Sequence, residues 1–406
     1  IRDYYASRGL GDVYKRQGFT VGSTFNKSTD ETTGQTAKGS QLGSVSGDTT
    51  LIAGNDLKIK GSEVIAGNDI NLVGKNVEIS SAENRASKHS TTESRSSGLT
   101  LALSGAVVSA LSTAKTISEM ETDKQDDRVA RLQQVKAGLD GYQAAQAVRG
   151  AVQDPTNTSF VGISLSLGMQ KAQSESQSDQ MTSAGSAIQA AQNLNIFANG
   201  SDGSTQDGDI VVQGSQLQAG DEMLLSASRD ISLLSAENTQ ISSSSKSSGG
   251  GAVGASIGVG SGGFGLSIFA NGNKGKGSEN GDGLTHNETT LDAGNKVTLL
   301  SGRDTTLTGA QVSADRIVAD VGRDLTITSE QDSNNYKSKD QNISGGLSFT
   351  LGSMTASGSL SISNDKINSN YDSVQEQSGL FAGDGGYDVT VGNHTQLNGA
   401  VIGSTA

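Results

Sequence analysis

Ala53-Gly54-Asn55-Asp56-Leu57-Lys58-Ile59 returns as Ala66-Gly67-Asn68-Asp69-Ile70-Asn71-Leu72, and Gly74-Lys75-Asn76-Val77-Glu78-Ile79 follows twenty residues after the first. Further on, Gly302-Arg303-Asp304-Thr305-Thr306-Leu307 and Gly322-Arg323-Asp324-Leu325-Thr326-Ile327 are again twenty apart. A second unit, Gly-small-x-aliphatic, occurs at Gly39-Ser40-Gln41-Leu42, Gly61-Ser62-Glu63-Val64, Gly214-Ser215-Gln216-Leu217, Gly309-Ala310-Gln311-Val312 and Gly399-Ala400-Val401-Ile402. A third, Ser81-Ala82-Glu83-Asn84, is repeated as Ser235-Ala236-Glu237-Asn238. Self-similarity at a fixed period marks a repeat architecture, so the fold is read from the unit.

Leu57-Lys58-Ile59 alternates apolar and polar with period two, as a half-buried strand does. The preceding Gly54, Asn55 and Asp56 tolerate tight turns and left-handed backbone. Gly67, Asn68 and Asp69, Gly302 with Asp304, and Gly322 with Asp324 take the same role. Strands this short form no stable free hairpin, and one unit cannot bury its own apolar edge. Stacked on copies of itself it can, with aliphatic ladders inside and backbone paired to the coils above and below. The predicted fold class is therefore all-β: a right-handed parallel β-helix of coils about twenty residues long. Leu57, Val77, Leu307 and Leu325 are predicted to point inward. An ordinary sandwich would want longer strands, more aromatics and no twenty-residue recurrence.

The coils fall into batches near residues 39–84, 185–238 and 291–332. Each is followed by a Ser-rich stretch and an alternating segment: Ser97-Gly98-Leu99-Thr100-Leu101-Ala102-Leu103, Ala252-Val253-Gly254-Ala255-Ser256-Ile257-Gly258-Val259 and Gly346-Leu347-Ser348-Phe349-Thr350-Leu351. Phe160-Val161-Gly162-Ile163-Ser164-Leu165-Ser166-Leu167 is of the same kind. These read as strands of longer hairpins, extruded from the helix or packed along it. They have the alternation of a membrane-inserting hairpin, but are shorter than the roughly 9–11 residues a spanning strand needs. Gly249-Gly250-Gly251 and the Asn-Gly-rich stretch 271–283 read as flexible loops. From Ala106 to Gln153 the pattern turns helical, with Val129, Leu132, Val135, Leu139, Tyr142, Ala145, Val148 and Val152 on one face. Asp126 or Asp127 can cap that helix and Pro155 stops it. It is expected to be an inserted helical segment packing on the flank.

The expected division follows. Residues 1–17 contain Asp12-Val13-Tyr14-Lys15-Arg16-Gln17, the translation of a transposase end sequence used in sequencing adapters, and read as an assembly scar. Residues 18–104 hold the first batch and its hairpin, 105–155 the helical insertion, 156–290 a hairpin, the second batch and Gly-rich loops, and 291–406 the third batch, a hairpin and terminal coils. Without an initial Met, the chain reads as an internal fragment of a longer reading frame.

Composition narrows the function. Among 406 residues there are 54 Gly but one Pro, no Cys and no Trp, with only 4% aromatic. Collagen, disulfide scaffolds and Cys-ligated metals are excluded. The net charge of −13 argues against a nucleic-acid partner. His89, His286 and His394 have no His or Cys at ligand spacing, so no catalytic residue, cofactor site or metal site is assigned. Gly383-Asp384-Gly385-Gly386-Tyr387-Asp388 is a single weak likeness to a calcium roll and reads as a turn. Asp304 and Asp324 follow Gly-Arg, where charge pairing or capping explains them.

These units resemble the haemagglutinin repeats of two-partner-secreted exoproteins, the filamentous haemagglutinin and CdiA families, over roughly residues 18–406. The carriers are the Ala-Gly-Asn-Asp and Gly-Arg-Asp units, the Ser-Ala-Glu-Asn exits, and the run Ser378-Gly379-Leu380-Phe381-Ala382-Gly383-Asp384-Gly385-Gly386-Tyr387-Asp388-Val389. That run looks like the end of the second repeat region, which in CdiA proteins precedes a pretoxin domain. The resemblance implies export through an outer-membrane TpsB-type transporter, engaged by an N-terminal domain this sequence lacks. It implies display on a Gram-negative surface, outer-membrane association, and C-terminal pretoxin and toxin domains in the parent chain. The expected function is a non-catalytic repeat shaft delivering a toxin in contact-dependent growth inhibition, its partner the target-cell surface or outer membrane. An adhesin shaft is the alternative, and a polysaccharide-degrading β-helix enzyme a remote one.

Overall fold

The computed structural model describes residues 18–104, 161–201, 206–260, 263–352 and 354–406. The segments predicted as scar and as helical insertion, 1–17 and 105–155, lie outside these residues. Every regular element among the described residues is a strand.

Short strands stack in parallel on three faces. The first face holds Gln41–Ser44, Glu63–Ala66, Ala187–Ala190, Gln216–Ala219, Thr289–Ala293 and the first part of Ala310–Val321. The second begins with Thr49–Ile52, Ile70–Gly74, Leu194–Ala198, Glu222–Ala227 and Lys296–Ser301. The third runs Asp56–Lys60, Asn76–Ser80, Ile210–Gln213, Ile231–Leu234, Thr305–Thr308, Asp324–Thr328 and His394–Asn398. This all-β, parallel, coil-on-coil arrangement is consistent with a β-helix. Alternation sends every second residue inward, and parallel register places equivalent residues above one another. On the third face Ile59, Ile79, Val212, Leu233, Leu307, Ile327 and Leu397 form one ladder. All but Leu397 are buried. Each fully buried aliphatic contributes about 1.5–3 kcal/mol relative to exposure.

The corner between third and first faces decides everything outside the stack. In alternate coils a glycine turns it directly: Gly61, Gly214, Gly309 and Gly399 all have φ between 53° and 65°. In the intervening coils the chain leaves at this corner as long strands: Ala82–Ser104 with Val161–Ala184, Ala236–Gly260 with Gly263–Asn287, and Asp332–Thr350 with Thr355–Ser373. With the entering strand Gly18–Gln35 they make one seven-stranded antiparallel sheet, a fin. Extrusion every second coil has a spacing reason. Two coils advance the stack by about 9.6 Å, and two fin strands occupy the same width, because both spacings are about 4.8 Å. A hairpin from every coil would need twice the room.

A buried hydroxyl column lines this corner. The Ser62 amide donates to Ser186 Oγ at 3.1 Å, the Ser186 amide to Ser215 Oγ at 3.1 Å, and the Ser215 amide to Thr289 Oγ1 at 3.4 Å. The hydroxyls donate in turn to carbonyls, Ser186 to Ser80 at 2.8 Å and Thr289 to Leu234 at 2.6 Å. Amides that the departing strands would otherwise orphan are thereby paired, as buried backbone requires.

The expectation of flexible loops at 249–251 and 271–283 is corrected. Both stretches are strand: Gly249, Gly250 and Gly251 pair with Lys274, Asn273 and Gly272 on one side and Lys171, Gln170 and Met169 on the other. Glycine lowers local propensity, but two flanking strands supply ladder bonds that override it.

Candidate functional site

Register across the fin aligns its residues in rows, and alternation sorts them onto two faces. One row reads Leu101, Leu165, Ala255, Ile268, Phe349 and Ala356; the next reads Val21, Leu99, Leu167, Val253, Ala270, Leu347 and Gly358. Ile163, Ile257, Leu266 and Met169 lie on the same face, and their large side chains are exposed. The opposite face carries Thr100, Ser166, Gly254, Ser348 and Ser357, then Gly22, Gly98, Gly168, Ala252, Asn271, Gly346 and Ser359. Phe269 is the large apolar exception there. From Ile163 to Met169 the apolar face is ~20 Å tall at the usual rise per residue. A soluble sheet does not normally leave such a continuous apolar surface uncovered.

The residues singled out by the repeats lie on the stack, away from this face. Gly54, Asn55 and Asp56, Gly302 with Asp304, and Gly322 with Asp324 turn the corner between second and third faces, whereas Gly67, Asn68 and Asp69 turn the one between first and second. Asn76 Nδ2 donates to Asp56 Oδ1 at 2.8 Å, and Asn193 Nδ2 to Asp69 Oδ1 at 2.9 Å. Val77, Leu307 and Leu325 are buried; Leu57, on the outermost strand of its face, is half-buried. The arginines build a stair. Arg229 Nε donates to Asp209 Oδ1 at 2.6 Å, Arg303 Nε to Asp230 at 2.8 Å, and Arg323 Nε to Asp304 at 2.7 Å. A second guanidinium nitrogen closes each fork. The Arg323 hydrogen bond holds the Asp304 carboxyl below its ordinary range. Burial is the largest influence on Asp230 and works against its ionisation, but the hydrogen bonds from Arg303 and the Asp304 amide together with the Arg303 charge outweigh it, and that carboxyl is also lowered.

Where the fin joins the stack, His286 Nδ1 sits 3.1 Å from Asp332 Oδ1, and its Nε2 3.9 Å from Glu330. Ser235 donates to Glu330. Glu288, beside these acids, is pushed up to about 8 by burial, then by its hydrogen bond and repulsion with Glu376 and repulsion from Asp332 and Glu330. Among the described residues, no three His, Asp or Glu side chains are arranged to hold a metal ion.

A family model described as Hemagglutinin repeat matches residues 21–139 and 167–343. The chain belongs to the haemagglutinin-repeat family. The match covers fin strands and coils alike, so the fin is as much part of the haemagglutinin repeat as the stack. The chain is 50% identical over 390 residues to a deoxyribonuclease CdiA of Yersinia pseudotuberculosis, covering 96% of this chain and 36% of that protein. It is 47% identical over 393 residues to a tRNA nuclease CdiA of Escherichia coli, and 47% over 397 to a 16S rRNA endonuclease CdiA of Enterobacter cloacae, in each case covering 96% of this chain and 12% of the relative. The chain thus spans a minor part of each relative. No solved structure matches it significantly.

Sequence reasoning found the alternating segments of this haemagglutinin repeat but not that they share one face. The signal was present: counting outward from the stack, back from Ala184 and forward from Ala236, aligns Leu165 with Ala255. The buried hydroxyl column was also missed, although Ser62 and Ser215 are themselves the small residue of the Gly-small-x-aliphatic unit.

Proposed function

We propose that this segment is a non-catalytic delivery module of a contact-dependent growth inhibition effector, a right-handed β-helical shaft carrying an amphipathic fin that meets the target cell's outer membrane. The observation that carries this is the fin's continuous apolar face, backed by a small-polar face, as a strand facing lipid on one side requires. The relatives support it. Their names give three different nuclease activities, while the region they share with this chain is 47–50% identical. Chemistry that differs between proteins belongs outside a segment they hold in common, so no catalytic residue, cofactor or metal is assigned here. The parent chain is read as a secreted, surface-displayed exoprotein exported through a TpsB-type transporter and carrying pretoxin and toxin domains. The adapter-like residues 1–17, a helical insertion at 105–155 and the division at 156–290 and 291–406 belong to the same proposal.

The test restores the segment to a full-length effector with a known toxin and removes residues 252–270, the end of one fin hairpin. Secretion and surface display should persist while toxin entry into target cells falls. Unchanged entry would leave the fin without a part in delivery and favour an adhesin shaft.

A further inference from the structure

Below the apolar rows, the same face of the fin passes through one row of Ser23, Ser97, Met169, Gly251, Gly272, Gly345 and Leu360 and then changes character. The following side-chain rows read Phe25, Arg95, Lys171, Gly249, Lys274, Ile343 and Ile362, then Lys27, Glu93, Gln173, Ser247, Lys276, Gln341 and Asn364. These two rows hold five cations and one carboxylate, in a chain whose net charge is −13. Glu93 is engaged by Arg95, whose Nε lies 2.7 Å from Oε1, with Lys171 Nζ at 3.8 Å. Lys27, Lys274 and Lys276 have no ion-pair partner among the described residues.

At the boundary lies an open hollow of about 1260 Å³. Its apolar wall is Phe25, Leu167, Met169 and Val253; its charged wall is Lys27, Arg95 and Lys171 with the single carboxylate of Glu93. The floor is Gly249-Gly250-Gly251, where missing side chains make the depression. A Cβ built on Gly249 would meet the Asn273 carbonyl oxygen at 3.6 Å, an ordinary van der Waals contact, so a side chain can be accommodated there.

We propose that this boundary is a binding site for an anionic phospholipid, with acyl chains against Leu167, Met169 and Val253 and the phosphate among Lys27, Arg95 and Lys171. The proposal rests on the reading that the fin meets a membrane, and names what it meets there. The argument is complementarity at the right height. Lipid phosphates lie at the edge of the hydrocarbon layer, so a protein face entering that layer needs its cations immediately beyond its apolar band. Basic side chains near an anionic surface each add affinity that is screened by salt.

The experiment measures binding of this chain to vesicles of phosphatidylcholine alone and of phosphatidylcholine with phosphatidylglycerol, at low and high salt. Binding to the anionic vesicles should be stronger and weaken with salt. The paired change Lys27→Glu and Lys171→Glu should reduce it at least about tenfold, and Gly249→Leu, which fills the hollow, should reduce it without changing net charge. Circular dichroism of each variant checks that the strands remain. Inorganic phosphate at equal anion concentration should not displace the protein; displacement by phosphate alone would make this a free-anion site and overturn the lipid assignment. Equal binding to both vesicle types, unaffected by either variant, would overturn this proposal while leaving membrane contact standing. Failure to bind any vesicle would overturn both.

Discussion

A single inward side chain in this fold has neighbours of its own kind above and below. Leu307 lies between Leu233 and Ile327 and is fully buried, whereas Leu57 has only Val77 beside it on its face and remains half-buried. Leu307→Ala should therefore cost about 2–5 kcal/mol, because the adjoining rungs are pinned by backbone pairing and cannot collapse into the gap. Leu57→Ala should cost about 1–2 kcal/mol. Chemical denaturation of both variants checks the ranking; equal losses would mean the ladder register is wrong. These inward positions could be read from the repeats, since period-two alternation and a twenty-residue recurrence act over a few residues. The corner hydroxyls could not, because Ser186 finds its donor at Ser62 and its acceptor at Ser80, more than a hundred residues earlier.

Stack and fin are built from the same spacing but held by different forces. The coils are sealed by aliphatic ladders, the fin by backbone ladders and polar cross-strand pairs such as Lys246 Nζ with Asp340 at 3.0 Å, and their junction gathers like charges. Glu288 binds its proton more tightly in the fold than in an unfolded chain, its carboxyl rising from an ordinary 4.5 to about 8. Between those values the folded state holds more protons, so stability falls as pH rises through that window. Thermal midpoints should decline from pH 5 to pH 8, and Glu288→Gln should flatten the slope. An unchanged slope would show that Glu288 is not the responsible group. The lowered Asp304 and Asp230 act with opposite sign, removing stability only as pH falls below their ordinary 3.8. The hairpins were visible in their alternation. Their union into one sheet was not, because pairing Gly168 with Ala252 depends on both strands leaving the same corner. The triple glycine misled for the same reason: partners far along the chain decide its conformation.

At the scale of the molecule, the β-helical stack is the shorter part. Seven rungs on the third face give a stack of only ~30 Å, while a fin strand of 25 residues extends ~80 Å. The long dimension belongs to the fin, and so does the surface that needs a partner. The central claim is that one face of that fin enters lipid and the other does not. The chain has no native cysteine, so Leu167→Cys and Ser166→Cys, neighbours on opposite faces, can each carry a single environment-sensitive fluorophore. On adding anionic vesicles, the label at position 167 should shift to the blue and brighten, and the label at 166 should change little. Equal responses at both positions, or none at either, would contradict the account.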